Sequence, residues 1–387
     1  MDNKIIKIGV LTFHKAINYG SILQAWALQN VLKNNGYYAE IIDYEPKEIK
    51  HLYETSIKDA RGLKRIVKRM LSFRKSVDFQ RKKFDDFKKN YLSISNNQYY
   101  FDSDFSSISD EYDIIITGSD QVWNTNIADC DPVFFLPFPF TGKKIAYACS
   151  VNDGCVNERF KKEWLRQWLN KYSFISVREK SGTNKIANFL NNEKRIYNTL
   201  DPTLLLDESA YRMLLKDRIV QGKYIFLYNM WTKTEGLKAA KFISQKLDLP
   251  VYTLTNQMDL IRISKYSVKG IKVDLRNTGP KDFLTLIYYA EFVLTDSFHG
   301  TAFSIIFNKQ FFSLNSHVNR ENYKNDERLM SILNYESLND RFVKLEDIYD
   351  FDLRKQIDYR KVNQYISELK AQSIELLLGA IEGNIQS

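Results

Sequence analysis

Glu291-Phe292-Val293-Leu294-Thr295-Asp296-Ser297-Phe298-His299-Gly300-Thr301-Ala302-Phe303-Ser304 is the stretch on which the fold of this chain turns. Phe292 to Thr295 is an apolar run of strand length and β-rich composition. Ala302, Phe303, Ile305 and Ile306 then open a helical pattern. His299 therefore falls where a strand gives way to a helix N-terminus. Free backbone N–H groups and the positive end of a helix dipole collect there, which suits an anion. A histidine beside a bound anion is placed to give up a proton. A capping or turn histidine without chemistry would carry the same local sequence.

Outward from this stretch the pattern alternates. Strands are expected at Tyr224–Tyr228, Val251–Leu254, Ile271–Leu275 and Gln310–Leu314. Helices are expected at Thr234–Leu247, Pro280–Ala290, around Glu327–Leu333 and over Lys361–Gly379. Pro280 after Gly279 fits the preference of proline for a first helical turn. The first half alternates likewise. Strand Lys4–Phe13 leads through a loop to a helix over Ser21–Asn35, stopped at Gly36, and then to strand Tyr38–Tyr44. Strands follow at Asp113–Thr117, Lys144–Ser150, Phe174–Val177 and Arg195–Leu200, with helices at Glu158–Leu169 and Lys180–Leu190. The pattern predicts α/β architecture: two doubly wound domains facing a cleft, joined near residues 205–222. The expected division is 1–205, 206–350 and a terminal helix in 351–387 that returns to the first domain. The first βαβ unit lacks G-x-G-x-x-G, so no dinucleotide fingerprint is present. Asn18, Gly20 and Ser21 still offer donors at a helix start. Ser119, Asp120, Trp123 and Asn124 follow the strand ending at Thr117, the place where α/β sheets bind ligands.

Residues 58–90 interrupt this order within an excursion at about 50–100. They are rich in lysine and arginine, and Leu63, Ile66, Val67, Met70 and Leu71 fall on one helical face. We read them as a helix that packs its stripe on the first domain and solvates its charges. Peripheral contact with an anionic membrane is the alternative.

The 387 residues suit two domains, and a hydrophobic share of 44% is ample for two cores. The net charge of +9, from 56 Lys+Arg against 47 Asp+Glu, favours anionic substrates or surfaces without choosing one. Nucleic acid is not expected as a partner. Cys130, Cys149 and Cys155 form no C-x-x-C pair, so neither a disulfide framework nor a zinc site is expected. The start is too short and too charged for a signal peptide, and no apolar run approaches the ~20 residues of a membrane span. A reducing cytoplasm is the expected compartment.

Four motifs lie in register: Asn18-Tyr-Gly-Ser-Ile-Leu-Gln24, Gly118-Ser-Asp-Gln-Val-Trp-Asn124, Ser176-Val-Arg-Glu179 with Asp201-Pro202, and Gly279-Pro280 with Thr295-Asp-Ser-Phe-His-Gly-Thr-Ala-Phe303. In order and spacing they resemble the polysaccharide pyruvyl transferase family, roughly over Ile5 to Leu333. The resemblance implies a glycosyltransferase-B-like pair of Rossmann-like domains. It also implies transfer of pyruvate from phosphoenolpyruvate, a co-substrate, to two hydroxyls of a sugar as a cyclic ketal. The acceptor would be nucleotide- or lipid-linked.

The family histidine, a proposed general acid, falls on His299, and the family arginine after the mid-chain strand falls on Arg178. Some members carry an arginine two residues before the histidine; here that position is Ser297. Protonating the methylene carbon of phosphoenolpyruvate suits an imidazole, and arginine reads planar anions best. Arg178 and then Arg328 are the expected donor clamps, with Ser297, Gly300 and Thr301 lining the helix start. Asp120 is the candidate base for a sugar hydroxyl, with Asn18, Gly20, Ser21, Ser119, Trp123 and Asn124 around the acceptor. The scheme needs no metal or cofactor, and the sequence offers no ligand cluster. A nucleotide-sugar glycosyltransferase of the same architecture, and a non-catalytic carbohydrate-binding or assembly protein, are the competing readings.

Overall fold

The computed structural model describes residues 5–46, 64–127, 130–152, 160–229, 233–254, 271–273, 278–315 and 326–386. The chain divides into two compact units. The first holds residues 1–61, 88–206 and 366–387, and the second holds residues 62–87 and 207–365.

Among the described residues the first unit has seven strands: β1 (Lys7–Leu11), β2 (Tyr38–Glu45), β3 (Ile94–Tyr100), β4 (Ile114–Thr117), β5 (Lys143–Cys149), β6 (Phe174–Val177) and β7 (Tyr197–Asn198). Their order in the sheet is β3-β2-β1-β4-β5-β6-β7, and every neighbouring pair runs parallel. The chain thus leaves β1 in one direction for β2 and β3, and returns to its other side for β4. Between β1 and β4 the winding reverses, which opens the sheet's carboxyl edge to a ligand. Helix α1 (Tyr19–Asn34) starts at that point. Tyr19 to Gln29 are all buried, so this helix is covered nearly all round rather than on one stripe.

Strand β3 escapes sequence reading because it is an edge strand whose centre, Asn96 to Gln98, is exposed. Its start is fixed instead by Gln29 of α1. That side chain donates to the Ser93 carbonyl (2.7 Å) and accepts from the Ser93 N–H (2.9 Å).

The core of this unit is aromatic. Phe134 meets Phe13 and Tyr44 edge to face, at centroid distances of 4.9 and 5.5 Å. Trp123, expected at the open edge, lies wholly inside this core. Its Nε1–H donates to the Phe134 carbonyl, and its ring stacks on Phe135 at 5.4 Å. A tryptophan after a short polar turn satisfies its N–H and its large apolar area better inward than in solvent.

Among the described residues the second unit has six parallel strands: β8 (Ile225–Tyr228), β9 (Val251–Thr253), β10 (Ile271–Val273), β11 (Phe292–Thr295), β12 (Gln310–Leu314) and β13 (Phe342–Val343). Their order, β10-β9-β8-β11-β12-β13, repeats the doubly wound plan, with the reversal between β8 and β11. The two-residue β13 is too short to leave a sequence signature. Residues 62–87, read above as an excursion of the first domain, group with this unit. A salt bridge of 3.0 Å joins Lys83 to Asp282, whose other oxygen takes Lys216 at 2.7 Å. These two ammonium groups and the Gly279 N–H hold the Asp282 carboxyl below its ordinary range, against the opposing effect of burial. Lys58, Arg61 and Leu63 of the basic stretch lie outside the described residues, as do His51, Cys155, His317 and Asn325.

The terminal helix, Tyr359–Glu382, ends in the first unit. There Ser373 Oγ accepts the Leu200 N–H (3.0 Å), and the Ile381 carbonyl accepts Lys143 Nζ (2.7 Å). Among the described residues no helix is long and apolar enough to cross a membrane.

Lys144 gives the first unit a titratable core. Its ammonium donates to the carbonyls of Leu136 (2.8 Å) and Phe138 (2.7 Å). Burial, aided by the nearby charge of Lys171, pushes it down to about 8. An unfolded lysine keeps its proton to ~10.4, so between these values the unfolded chain binds more protons and stability rises with pH. Denaturant titrations at pH 8 to 9.5 should therefore show the wild type gaining stability relative to Lys144→Met. A constant difference across that range would contradict the assignment.

Candidate active site residues

In the second unit, β11 ends at Thr295, and helix α2 (Phe298–Ile306) begins three residues later. Ser297 is the N-cap in extended conformation, and its Oγ accepts the Gly300 N–H at 3.5 Å. His299 is the second residue of the helix and is 7% exposed. It thus stands in the first turn, beside the winding reversal of its own sheet. Asp296, three residues before it, is fully buried.

The other expected contacts at this edge have packing explanations. Gly300 lies against Thr295, where a Cβ would come within 3.1 Å of the Thr295 Cβ and would collide with Oγ1. The Thr301 hydroxyl bonds the Ser297 carbonyl (3.1 Å) and meets Ser313 Oγ of β12. Arg328 forms a fork with Asp326 two residues earlier, with Nε on Oδ1 (3.0 Å) and Nη2 on Oδ2 (2.6 Å). A local carboxylate therefore holds the guanidinium that sequence reading assigned to the donor.

The first unit carries a denser constellation. Ser21, in the first turn of α1, donates to Asp120 Oδ2, while Asp120 Oδ1 accepts the Gln121 N–H (2.9 Å). The backbone of Asp120 sits at φ 79°, in a region that costs a non-glycine residue ~1–3 kcal/mol. It is held there because its carbonyl accepts the Ser150 N–H (2.9 Å) beyond β5. Ala148 at the end of β5 also has positive φ, 51°, where the pairing register with β6 shifts. Thr12, just past β1, donates from Oγ1 to the Ser119 carbonyl (2.9 Å) and accepts from Gln24 Nε2 (2.8 Å).

Arg178 and its surroundings complete this edge. The guanidinium, 3% exposed, places Nη1 2.9 Å from Asp201 Oδ2 and Nε 3.7 Å from Glu179 Oε1. Asp201 Oδ2 also takes the Ser119 hydroxyl (2.8 Å). Glu179 accepts the Ser150 hydroxyl and the Val151 N–H (3.3 Å). Arg178 therefore belongs to a buried ion-pair network that ties β4, β5 and β6 together. Two carboxyl groups, those of Glu179 and Asp201, flank this guanidinium, and Ser119, one residue before Asp120, links Asp201 to the end of β4.

Asn18 spends its side chain as N-cap of α1, accepting Gly20 N–H (2.9 Å) and Ser21 N–H (3.3 Å). Gly20 is helical, with no left-handed turn. Asn124 closes the Gln121–Trp123 turn by donating to Gln121 Oε1 (2.7 Å). Sequence reading missed Thr12, Gln24 and Ser150. Their signal is a polar residue just beyond an apolar strand, or on the helix turn facing it. Among the described residues no group of three or more His, Cys, Asp or Glu side chains is arranged to hold a metal.

Breaking a buried ion pair from one side strands the other charge, at a cost of about 3–5 kcal/mol. Arg178→Met should lower unfolding stability by about that amount, and Arg178→Met/Asp201→Asn should cost clearly less than the single change. Denaturant midpoints read the order of the two. Equal losses would remove the ion pair from the account.

The whole chain resembles solved structures of low identity, which share its fold. UDP-GlcNAc 2-epimerase from Methanocaldococcus jannaschii matches with a TM-score of 0.53 at 11% identity, over 91% of this chain and 93% of that one. UDP-GlcNAc 2-epimerase from Neisseria meningitidis, solved bound to UDP-GlcNAc, matches at 0.51 and 11%, over 96% and 99%. The N-terminal domain of Candida albicans trehalose-6-phosphate phosphatase matches at 0.51 and 8%, over 98% and 97%. The fold is thus the glycosyltransferase-B-like α/β fold. No curated protein matches the chain. The family model for polysaccharide pyruvyl transferase matches residues 18–318, from the cap of α1 past the His299 helix, and the chain belongs to that family.

Proposed function

We propose that this protein transfers pyruvate from phosphoenolpyruvate to two hydroxyls of a sugar, within a polysaccharide or its lipid-linked precursor. The observation that carries the reading is His299 in the first turn of a helix that follows the strand at the winding reversal of the second unit. Backbone N–H groups of that turn favour the donor's phosphate or carboxylate, and His299 is the acid for its methylene carbon. Proton transfer to that carbon lets a sugar oxygen bond to C2. The C2–O bond to phosphate then breaks, and the second hydroxyl closes the ketal. Of the two hydroxyl protons, one restores the imidazolium and the other leaves with phosphate.

The first unit's edge suits the acceptor instead. Asp120, 8% exposed and placed at the winding reversal, can accept a hydrogen bond from a sugar hydroxyl. Asp120 is the proposed base there. Arg178, committed to Asp201, serves as a positioning residue and not as the donor clamp that the family resemblance implied. We assign the activity to the cytoplasm. A lipid-linked acceptor would bring the chain to the inner face of the membrane, where the basic segment meets anionic lipid.

The same helix start could take the diphosphate of a nucleotide sugar, and release of inorganic phosphate separates the two reactions. With phosphoenolpyruvate and a competent acceptor, the wild type should release phosphate in step with ketal formation. Losing a general acid costs ~10²–10⁴ in rate, so His299→Ala and His299→Gln should both fall by that range while remaining folded. Glutamine can donate a hydrogen bond but not a proton. A near wild-type rate for His299→Gln would remove the acid role. Release of a nucleoside diphosphate without phosphate would favour glycosyl transfer.

A further inference from the structure

The carboxyl edge of the first unit extends past the Ser21–Asp120 pair to a second polar cluster. His14 follows β1 and is wholly buried. Its Nε2 lies 2.9 Å from Asp43 Oδ1 on β2, and its Nδ1 lies 3.2 Å from the Thr12 carbonyl. Lys15 Nζ reaches the same Asp43 oxygen at 2.5 Å. The backbone of Asp43 is fixed too, by its N–H on Ser95 Oγ (2.9 Å). Thr12 joins this cluster to the proposed site, because its hydroxyl bonds Ser119 and Gln24 while its carbonyl faces His14.

Two features separate this cluster from a closed structural ion pair. The side chains of Asp43 and Lys15 are 18% and 21% exposed, whereas that of His14 is 0% exposed. His14 and Lys15 both converge on Oδ1, and among the described residues Asp43 Oδ2 has no hydrogen-bond partner. We propose that Asp43 and Lys15 form a subsite for a pair of neighbouring sugar hydroxyls, with Asp43 Oδ2 accepting one O–H and Lys15 donating to the next oxygen. The inference rests on the reading of this edge as the acceptor's.

The chemistry favours hydroxyls over other ligands. The Asp43 carboxylate disfavours phosphate by like-charge repulsion, and the Lys15 ammonium 2.5 Å from it disfavours a divalent cation. An acceptor oxygen next to an N–H donor matches a vicinal diol, where each hydroxyl both gives and takes a bond. Burial lowers the proton affinity of His14, and His14 and Lys15 together hold the Asp43 carboxyl below its usual range despite burial. The acceptor oxygen is therefore ionised in neutral solution. His14 acts as the buried post that holds Asp43 in register.

The test is sugar binding without donor, which keeps it independent of the transfer reaction. Saturation-transfer NMR with methyl glycosides of glucose, galactose and N-acetylmannosamine would measure affinity for the wild type, Asp43→Asn and Lys15→Met. Loss of a charge-assisted hydrogen bond predicts about 10- to 100-fold weaker binding for Asp43→Asn of whichever glycoside binds, with a smaller loss for Lys15→Met. Thermal melts check folding, and Lys15, the more exposed of the two side chains, supplies the variant with the smaller structural burden. Wild-type affinity in both folded variants, or no glycoside bound by the wild type, would overturn the subsite. Asp43-dependent binding without phosphate release from phosphoenolpyruvate would overturn the transfer reaction and leave the subsite standing. Phosphate release with an unchanged acceptor KM in Asp43→Asn would do the reverse.

Discussion

One carboxylate holds together the edge on which the first unit depends. Asp201 Oδ2 takes Arg178 and Ser119, and Oδ1 takes the backbone and hydroxyl of Thr203. Those bonds join the ends of β4 and β6 to the turn after β7. A parallel sheet creates the need for such a group. Every strand ends at the same edge and must hand the chain to a helix, leaving backbone and side-chain polar groups crowded where water is excluded. A buried guanidinium needs partners of opposite charge, and Asp201 and Glu179 supply them.

The same constraint produces the strained backbone of the site. Asp120 and Ala148 adopt positive φ at the ends of β4 and β5, where the register between β5 and β6 shifts. These departures turn the Asp120 carboxylate toward Ser21 at the start of α1. Residues in such conformations persist only where their surroundings over-determine them. Here the Ser150 N–H on the Asp120 carbonyl, the Gln121 N–H on its carboxylate and the Ser21 hydroxyl do so together. The Asp120 strain lies at the winding reversal between β1 and β4, while Ala148 ends the next strand, β5.

The two units solve one topology with opposite chemistry. At the edge of the first, carboxyl groups dominate, and the Ser21, Ser119 and Ser150 hydroxyls each bond one of them. At the edge of the second, a helix start presents His299 and a serine cap, while its arginine is held by a neighbouring aspartate.

Alternating apolar runs and helical periods determined much of this protein by themselves. Phe174–Val177, Phe292–Thr295 and Gln310–Leu314 form strands with the ends that their composition predicts, and His299 lies in the first turn of a helix. These are local properties, set by side-chain shape and by the length of each apolar run. The edge strand Ile94–Tyr100 was not legible, because it is polar and is stabilised by Gln29 from another element. Partners were not legible either. Arg178 reads as an anion clamp until the fold brings Asp201 to it from 23 residues away, and Trp123 reads as a cleft residue until Phe134 and Phe135 enclose it. His14 and Asp43, 29 residues apart, look scattered until β1 and β2 pair in parallel. The sequence states which groups are present, but whether a charge meets a ligand or a counter-charge depends on strand register, which only the assembled sheet defines.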